Sequence, residues 1–379
     1  MESRPAARRA ALLVGAVVLL ALAACIPPTE PPGGGTSSTT TTTTEPPPTP
    51  PESPRVLVPP AAGPDAVAVV WYDGPEDGPE SGIYLSDADT AQLLDQESPE
   101  GRAIVDQLLG HLDPTTGRRL EKGFDDSDGF LLFHDEDGVT SEVPGTRDSD
   151  GPATFSFSPD GSKFVTTRSE SYLNETTIYD TETLTPIVST TLRPAGLNVW
   201  FPRHVWSPDS TRLALLDRNG AVATLEAVES ALPRAVVQAV QTEHPAYAMT
   251  VFGWSETDHL LYLWWDSSGG GSFDPRVELR EVHSSGLEAP RTLTSDGFGA
   301  TSTWVGGGTV LLSGGQLVAS RSWVVPDEAT EEQATVIVPH LLTDGPTPTV
   351  QPLSIPVVGA RDELPFGSSL YLLGFVPRS

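Results

Sequence analysis

Three stretches of this chain repeat one another at nearly fixed spacing, and a fourth resembles them in part. Phe155-Ser156-Phe157-Ser158-Pro159-Asp160-Gly161 runs into Ser162-Lys163-Phe164-Val165, and Val205-Trp206-Ser207-Pro208-Asp209-Ser210 runs into Thr211-Arg212-Leu213-Ala214. Phe252-Gly253-Trp254-Ser255-Glu256-Thr257-Asp258 precedes His259-Leu260-Leu261-Tyr262, and Thr303-Trp304-Val305-Gly306-Gly307-Gly308 precedes Thr309-Val310-Leu311-Leu312. With Phe157, Trp206, Trp254 and Trp304 as the shared position, the copies lie 49, 48 and 50 residues apart. Each copy reads as strand, tight turn, strand. The aromatic ends the first strand, and Ser-Pro-Asp-Gly supplies a fixed φ, a side chain that bonds back to the backbone, and a residue at ease with positive φ.

A repeat of this length cannot bury its own apolar strands and must stack against its neighbours. Further strands complete the unit: Ala221 to Leu225 follows the hairpin signal Asn219-Gly220, with counterparts at Thr177 to Asp180 and Val277 to Val282. Three to four short strands per period of about 49 residues predict an all-β fold, a β-propeller of six blades of four-stranded antiparallel sheet. The weaker segments Val67 to Tyr72 with Gly82 to Leu85, and Gly129 to His134, are expected in the first two blades. Ser369 to Phe375 is expected to close the ring by pairing with the first. One connection is helical over residues 99–112. Ser98 can cap it, Pro99 suits its first turn, and Ile104, Val105, Leu108, Leu109 and Leu112 share one face. That helix is expected to cover part of the propeller.

The two best copies resemble the Ser-Pro-Asp repeat of TolB-type, WD-repeat-like β-propellers, a resemblance spanning about residues 154–325. The Gly-His and Trp-Asp signatures of true WD repeats are missing, which places the resemblance with the TolB-like group.

Residues 1–24 have the layout of a secretory signal, with Arg4, Arg8 and Arg9 ahead of the apolar run from Leu12 to Leu20. The ending Leu22-Ala23-Ala24-Cys25 resembles the bacterial lipobox, which implies lipidation of Cys25, the single cysteine. The expectation is a protein exported from the cytoplasm and held to the cell membrane by acyl chains. Residues 25–64 then form a stalk rich in Pro, Thr and Gly that cannot build a core. Residues 65–379 form the propeller domain.

The formal charge of −29 argues against a nucleic-acid partner, which requires clustered Lys and Arg. Motifs for zinc proteases, serine hydrolases and phosphate-binding loops are absent, and the seven histidines are scattered from His111 to His340. Acidic runs offer the best ligand candidates. Asp126 and Asp128, and Asp135 and Asp137, alternate carboxylates beside glycine as calcium coordination requires, although solvated hairpin turns explain them as well. No other cofactor is indicated. Two functions are compatible with these features. The favoured one is a non-catalytic module binding a protein, peptide or cell-envelope component. The alternative is a hydrolase or lyase acting on a glycan or peptide, with acidic residues as acid and base.

Overall fold

The computed structural model describes residues 54–378, apart from short stretches at 75–77, 150, 171–172, 195–203, 218, 242–244, 268–275, 296–301, 313–315, 327–332, 344–348 and 356–366. The signal, Cys25 and the stalk up to residue 53 lie outside the described residues.

Strands are the dominant element, and they group in chain order. Blade three is the simplest: Thr154–Phe157, Lys163–Glu170, Leu173–Asp180 and Pro186–Thr190 pair antiparallel, each with the next. Blade five repeats this with Ala246–Trp254, His259–Asp266, Arg276–His283 and Arg291–Ser295. Blade six does so with Ser302–Leu312, Gln316–Pro326, Gln333–Thr343 and Thr349–Pro352. In blade four, Arg212–Leu216, Val222–Glu226 and Arg234–Val237 make three strands. The first place there is shared by Arg193–Pro194 and by a bridge from Trp206 to Leu213. Blade two comprises Arg119–Phe124, Gly129–His134 and Thr140–Glu142, with Leu112 bridging to Arg119 at the first place. Blade one takes its first strand from the far end of the chain. Ser369–Pro377 pairs antiparallel with Ala66–Asp73 through eight partners, and Gly82–Ser86 and Ala91–Leu93 follow.

The side chains decide how these sheets are arranged. Successive residues of a strand point to opposite faces, and here both faces are buried. Leu213, Leu215, Ala223 and Leu225 pack with Val165, Ile178 and Val188 of blade three. The alternate residues Ala214, Leu216 and Val222 pack with Ala248, Val251, Tyr262 and Trp264 of blade five. The same split recurs in blade five, whose Leu261, Leu263 and Leu279 face Leu317, Ala319 and Leu342 of blade six. Blade six in turn joins blade one through Val318, Val336 and Val338 against Val70, Tyr72 and Leu370. Blades two and three meet through Leu120, Leu131, Phe133, Phe155, Phe157 and Phe164. Blades three to six therefore each stand between two other sheets. The fold is a six-bladed β-propeller.

The sixth joint is built differently, and it corrects the expectation that the helix is a cover. Val67, Val69, Ile83 and Val376 on the free face of blade one pack against Ile104, Val105 and Leu108 of the helix Pro99–Leu109. Asp106 on the same helix pairs with Arg119 of blade two at 3.2 Å. The helix thus stands between blades one and two and completes the ring. It begins as its sequence prescribes, with the Ser98 hydroxyl accepting the Gly101 N–H at 3.0 Å. It ends three residues earlier than expected because Gly110 takes a left-handed conformation, φ +76°. A Cβ at Gly110 would lie 2.9 Å from the Ser156 Cβ, so glycine lets the chain leave the helix against blade three.

Two further expectations change. Residues from Pro54 onward, placed in the stalk by composition, belong to the folded unit. Arg55–Val56 pairs with Ser354–Ile355, and Val56 is fully buried beside blades one and six. The fourth repeat copy is out of phase. Ser302–Leu312 is one strand whose pairing shifts between Val305 and Val310, and the turn expected at Gly306 to Gly308 lies inside it. The aromatic of the other three copies ends its strand immediately before the turn, as Trp254 does. In blade six the residue ahead of the turn is Leu312.

Phe157, Trp206 and Trp254 each pack toward the preceding blade, and two bonds that cross the joints are one repeat long. Trp254 Nε1 donates to the Val205 carbonyl at 3.2 Å, and the Asp160 N–H donates to the Ser210 hydroxyl at 3.0 Å. The Ser-Pro-Asp turn is the same device twice. Asp160 Oδ1 accepts from the Ser158 hydroxyl at 2.7 Å and from the Ser162 N–H at 3.0 Å; Asp209 Oδ1 accepts from Ser207 at 2.5 Å and Thr211 N–H at 3.1 Å. The fourth residue of these turns, and of the related turn Ser255 to Asp258, has positive φ: Gly161 at 69°, Ser210 at 59° and Asp258 at 62°.

These bonds have a measurable pH signature. Burial alone would raise Asp160, but the Ser162 N–H and the Ser158 and Ser162 hydroxyls bring it down to about 2, and the Ser207 hydroxyl leads the same effect at Asp209, also about 2. A depressed carboxylate stabilises the fold above its unfolded value and loses that contribution as pH falls through its folded value. Stability from these turns is therefore expected to fall between about pH 4 and pH 2. Denaturant melts across that range check it, and the acid limb should flatten in the Asp160→Asn, Asp209→Asn double variant.

Candidate functional site: the inner strands

The first strand of each blade runs beside the first strand of the next and lies at one edge of its sheet, except that Ser369–Pro377 of blade one also pairs with Gln333–Thr343 of blade six at Ile337. Ala246–Trp254 lies against Ser302–Leu312, which lies against Ser369–Pro377, and the Phe157 N–H donates to the Gly110 carbonyl at 2.7 Å. These strands ring the axis, where propellers present ligand-facing groups. Their composition is distinctive. Residues 110–112, 154–157, 193–194, 204–206, 246–254, 302–312 and 369–377 include no Asp, Glu or Lys and one Arg, the exposed Arg193 of blade four, in a chain with 51 acidic and 22 basic residues. They offer hydroxyls, imidazoles, aromatic rings and edge backbone groups. Thr154, Tyr247, Phe252, Tyr371 and Phe375 are partly exposed there.

Several aspartates are in the loops, holding turns. Asp87, Asp95, Asp180 and Asp217 each accept a backbone N–H two or three residues ahead. The calcium candidates sit in the same kind of turn. Asp126 and Asp128 lie in the loop before Gly129–His134, where Asp125 Oδ1 accepts the N–H groups of Ser127 and Asp128. Asp135 and Asp137 lie in the loop after that strand, with Asp135 Oδ1 accepting from Asp137 and Val139. The two pairs are thus at opposite ends of a six-residue strand, about 17–20 Å apart, and are not brought together. Arg147 pairs with Asp125 and Glu142 and approaches Asp128 at 4.0 Å, adding positive charge to the first pair. Among the described residues no three His, Cys, Asp or Glu side chains stand ready to hold a metal ion.

One polar cluster that sequence reasoning missed lies behind the inner strands of blades three and four. His204 Nδ1 is 2.9 Å from the Ser156 hydroxyl, and its Nε2 is 3.1 Å from the Thr167 hydroxyl and 3.4 Å from that of Thr154. His111 stacks on Phe155 in the adjoining turn, ring centres 4.3 Å apart. A serine and a histidine in contact invite comparison with a hydrolytic dyad. The comparison fails, because Ser156 is 2% exposed, His204 is 3% exposed, and hydroxyls rather than a carboxylate hold the far nitrogen. The cluster is a tie between blades. Its signal in the sequence was faint: Ser156 and His204 lie within two residues of phased aromatics, but no other copy repeats the pair.

Burial keeps His204 neutral, and nearby His111 acts in the same direction, bringing it down to about 3. His340, also buried, is lowered to about 4. A histidine with a depressed folded value stabilises the fold above its unfolded value near 6.5 and loses that contribution as pH falls below it. Between pH 7 and pH 5 the His204 contribution is expected to drop by about 2 kcal/mol. Denaturant melts at the two pH values measure this, and a folded His204→Gln variant should show a smaller difference, with His340 supplying the remainder.

No protein-family model and no curated protein matches this sequence. Among solved structures, the chain is similar to an oligogalacturonate lyase in complex with manganese, at 12% identity. The match covers 62% of this chain and 69% of that one, with a TM-score of 0.36. At that level the likeness carries no argument about chemistry, and the propeller assignment rests on the blades themselves.

Proposed function

We propose that this chain is an extracytoplasmic lipoprotein, anchored through Cys25, whose TolB-like propeller is a non-catalytic module binding a protein, peptide or cell-envelope component at its inner strands. One observation carries the binding reading: the described inner strands have no carboxylate, and Arg193 is their one charged residue besides histidine. General acid–base chemistry on a glycan or peptide needs a pair of titratable groups at the reacting bond, usually carboxylates. The inner strands supply no carboxylate, and His204 is enclosed and held by hydroxyls. What they do supply is suited to recognition: rings to stack on, hydroxyls, and strand edges that can pair with an extended peptide.

The anchor reading is tested by mass spectrometry of the membrane fraction. Acyl chains on Cys25 are expected, and Cys25→Ser should move the protein out of the membrane fraction. An unacylated mature protein would overturn it. The binding reading is tested by placing a photo-reactive residue at Thr154 or Tyr371 on inner strands, and at Ser141 or Val350 on outer edges, in intact cells. A discrete adduct from inner positions only is expected. Equal labelling from outer positions would contradict the reading.

A further inference from the structure

The inner strand of blade five, Ala246–Trp254, pairs irregularly with His259–Asp266, its register shifting between Ala248 and Thr250 and again between Val251 and Gly253. Each shift is a β-bulge whose extra residue, first Met249 and then Phe252, has no partner on the neighbouring strand. We infer that Met249 is the contact at which the inner strands take an apolar side chain of an extended peptide. This rests on the binding reading above and narrows its ligand to one class.

The surroundings of the strand show where Met249 is open. Ala246, Ala248, Val251 and Trp254 pack toward blade four, while Phe252 packs with Leu261, Leu263 and Leu317 at the joint with blade six. Ala246 and Ala248 alternate as a regular strand does, yet the next residue on that face is Val251 rather than Thr250, so Met249 is the inserted residue. In an unbulged strand position 249 would fall on the blade six face. One edge of the strand is paired to His259–Asp266. The other is closed only at its beginning, where Val240 bonds to Ala246 and the Gly220 carbonyl accepts the Ala248 N–H at 2.8 Å. What is left open beside Met249 is the axis, and the residue is 45% exposed. No other large apolar side chain described on an inner strand is as open. Tyr247, two residues away and partly exposed, adds an aromatic ring held against Trp265 with centres 4.9 Å apart.

The class of ligand follows from this mixture of groups. Methionine is unbranched and polarisable, and it adapts to apolar side chains of different shape. Thr154, Thr250, Ser369 and Tyr371 add partly exposed hydroxyls on the inner strands. A peptide satisfies both, with a side chain on Met249 and its amides on the hydroxyls. An acyl chain would cover those hydroxyls without bonding to them. A sugar is gripped by amide and carboxylate side chains that bond to pairs of its hydroxyls, and the described inner strands contain no Asp, Glu, Asn or Gln.

Selection of phage-displayed random peptides of about twelve residues against the full chain tests the contact. Enriched peptides are expected to carry Leu, Ile, Met or Phe among uncharged residues. Their affinity should weaken by about tenfold or more in Met249→Asp, recover in Met249→Leu, and stay unchanged in Val350→Asp on an outer edge. Met249 is the single methionine beyond Met1, so its oxidation by hydrogen peroxide reads the same contact, and a bound peptide should slow formation of the sulfoxide. No enrichment over a bare surface, affinity unchanged in Met249→Asp, or an unchanged sulfoxide rate would each overturn the inference. Peptides indifferent to Met249→Asp but lost in Tyr371→Asp would overturn it while leaving the inner-strand binding reading in place.

Discussion

A chain ending at Ser368 is expected to lose its cooperative fold. Residues 369–379 contribute the first strand of blade one, eight cross-strand partners along Ala66–Asp73, and the buried side chains of Leu370, Leu372 and Val376. Three buried aliphatic side chains contribute about 5–9 kcal/mol together at about 1.5–3 kcal/mol each. That is already comparable to the 5–15 kcal/mol by which a typical domain is stable. The loss is also topological. Without that strand, Ala66–Asp73 becomes a bare apolar edge, and blade six loses Leu370 and Leu372 from its joint with blade one. Circular dichroism during heating is the check. No cooperative transition, with aggregation at moderate concentration, is expected, while a sharp transition close to that of the full chain would contradict the closure described here.

Asp113→Ala is expected to cost about 3–5 kcal/mol, because it removes an enclosed carboxylate that accepts several hydrogen bonds and leaves the Arg118 guanidinium to the exposed Glu182 alone. The Asp113 side chain is fully enclosed. It accepts from the Thr115 and Thr116 hydroxyls at 2.7 Å, from the Thr115 N–H at 2.8 Å and from Arg118 at 2.9 Å. Burial alone would raise this carboxyl, and the surrounding donors bring it below its ordinary value instead. The carboxylate also fills the space beside the Ser-Pro-Asp-Gly turn of blade three. A Cβ on Gly161 would stand 2.1 Å from Asp113 Oδ1, and Gly161 has φ +69°. Gly161→Ala should therefore cost about 2–3 kcal/mol through strain and displacement of Asp113. The two effects share an atom, so the double variant should be less destabilised than the two single effects combined. Urea melts of the four proteins measure the coupling, and strict additivity would show that the turn and the carboxylate act separately.

The repeat made the architecture legible because its chemistry is local. A turn needs Ser, Pro, Asp and Gly in order, and an aromatic before it must bury itself against a neighbour, so three copies declared their blades in one dimension. The same reasoning misread Trp304. A glycine run resembles a turn on paper, yet Gly306 to Gly308 lie within a long strand whose pairing to Gln316–Pro326 absorbs the irregularity. It also misplaced Arg55–Val56, because two residues in a proline-rich context look like linker until Ser354–Ile355 arrives from the other end of the chain. The helix was found from its cap and apolar face, but its role was not, since what Ile104 and Leu108 touch depends on Val69, Ile83 and Val376. The inner strands were within reach of the sequence, being free of carboxylates, once their place in each blade was known. His204 was not, because Ser156 lies 48 residues away and only the closed joint brings them together.

The ring is the foundation of every functional statement made here, and its least conventional element is the helical joint between blades one and two. Hydrogen exchange followed by mass spectrometry tests that joint directly. If the helix is part of the ring, amides of the peptide covering residues 103–109 should exchange as slowly as those of Ala66–Asp73 and Ser369–Pro377, and all three should be released together as denaturant is raised. Rapid exchange of the helix while the two strands remain protected would show that it only lies on the surface, and would contradict the ring as described.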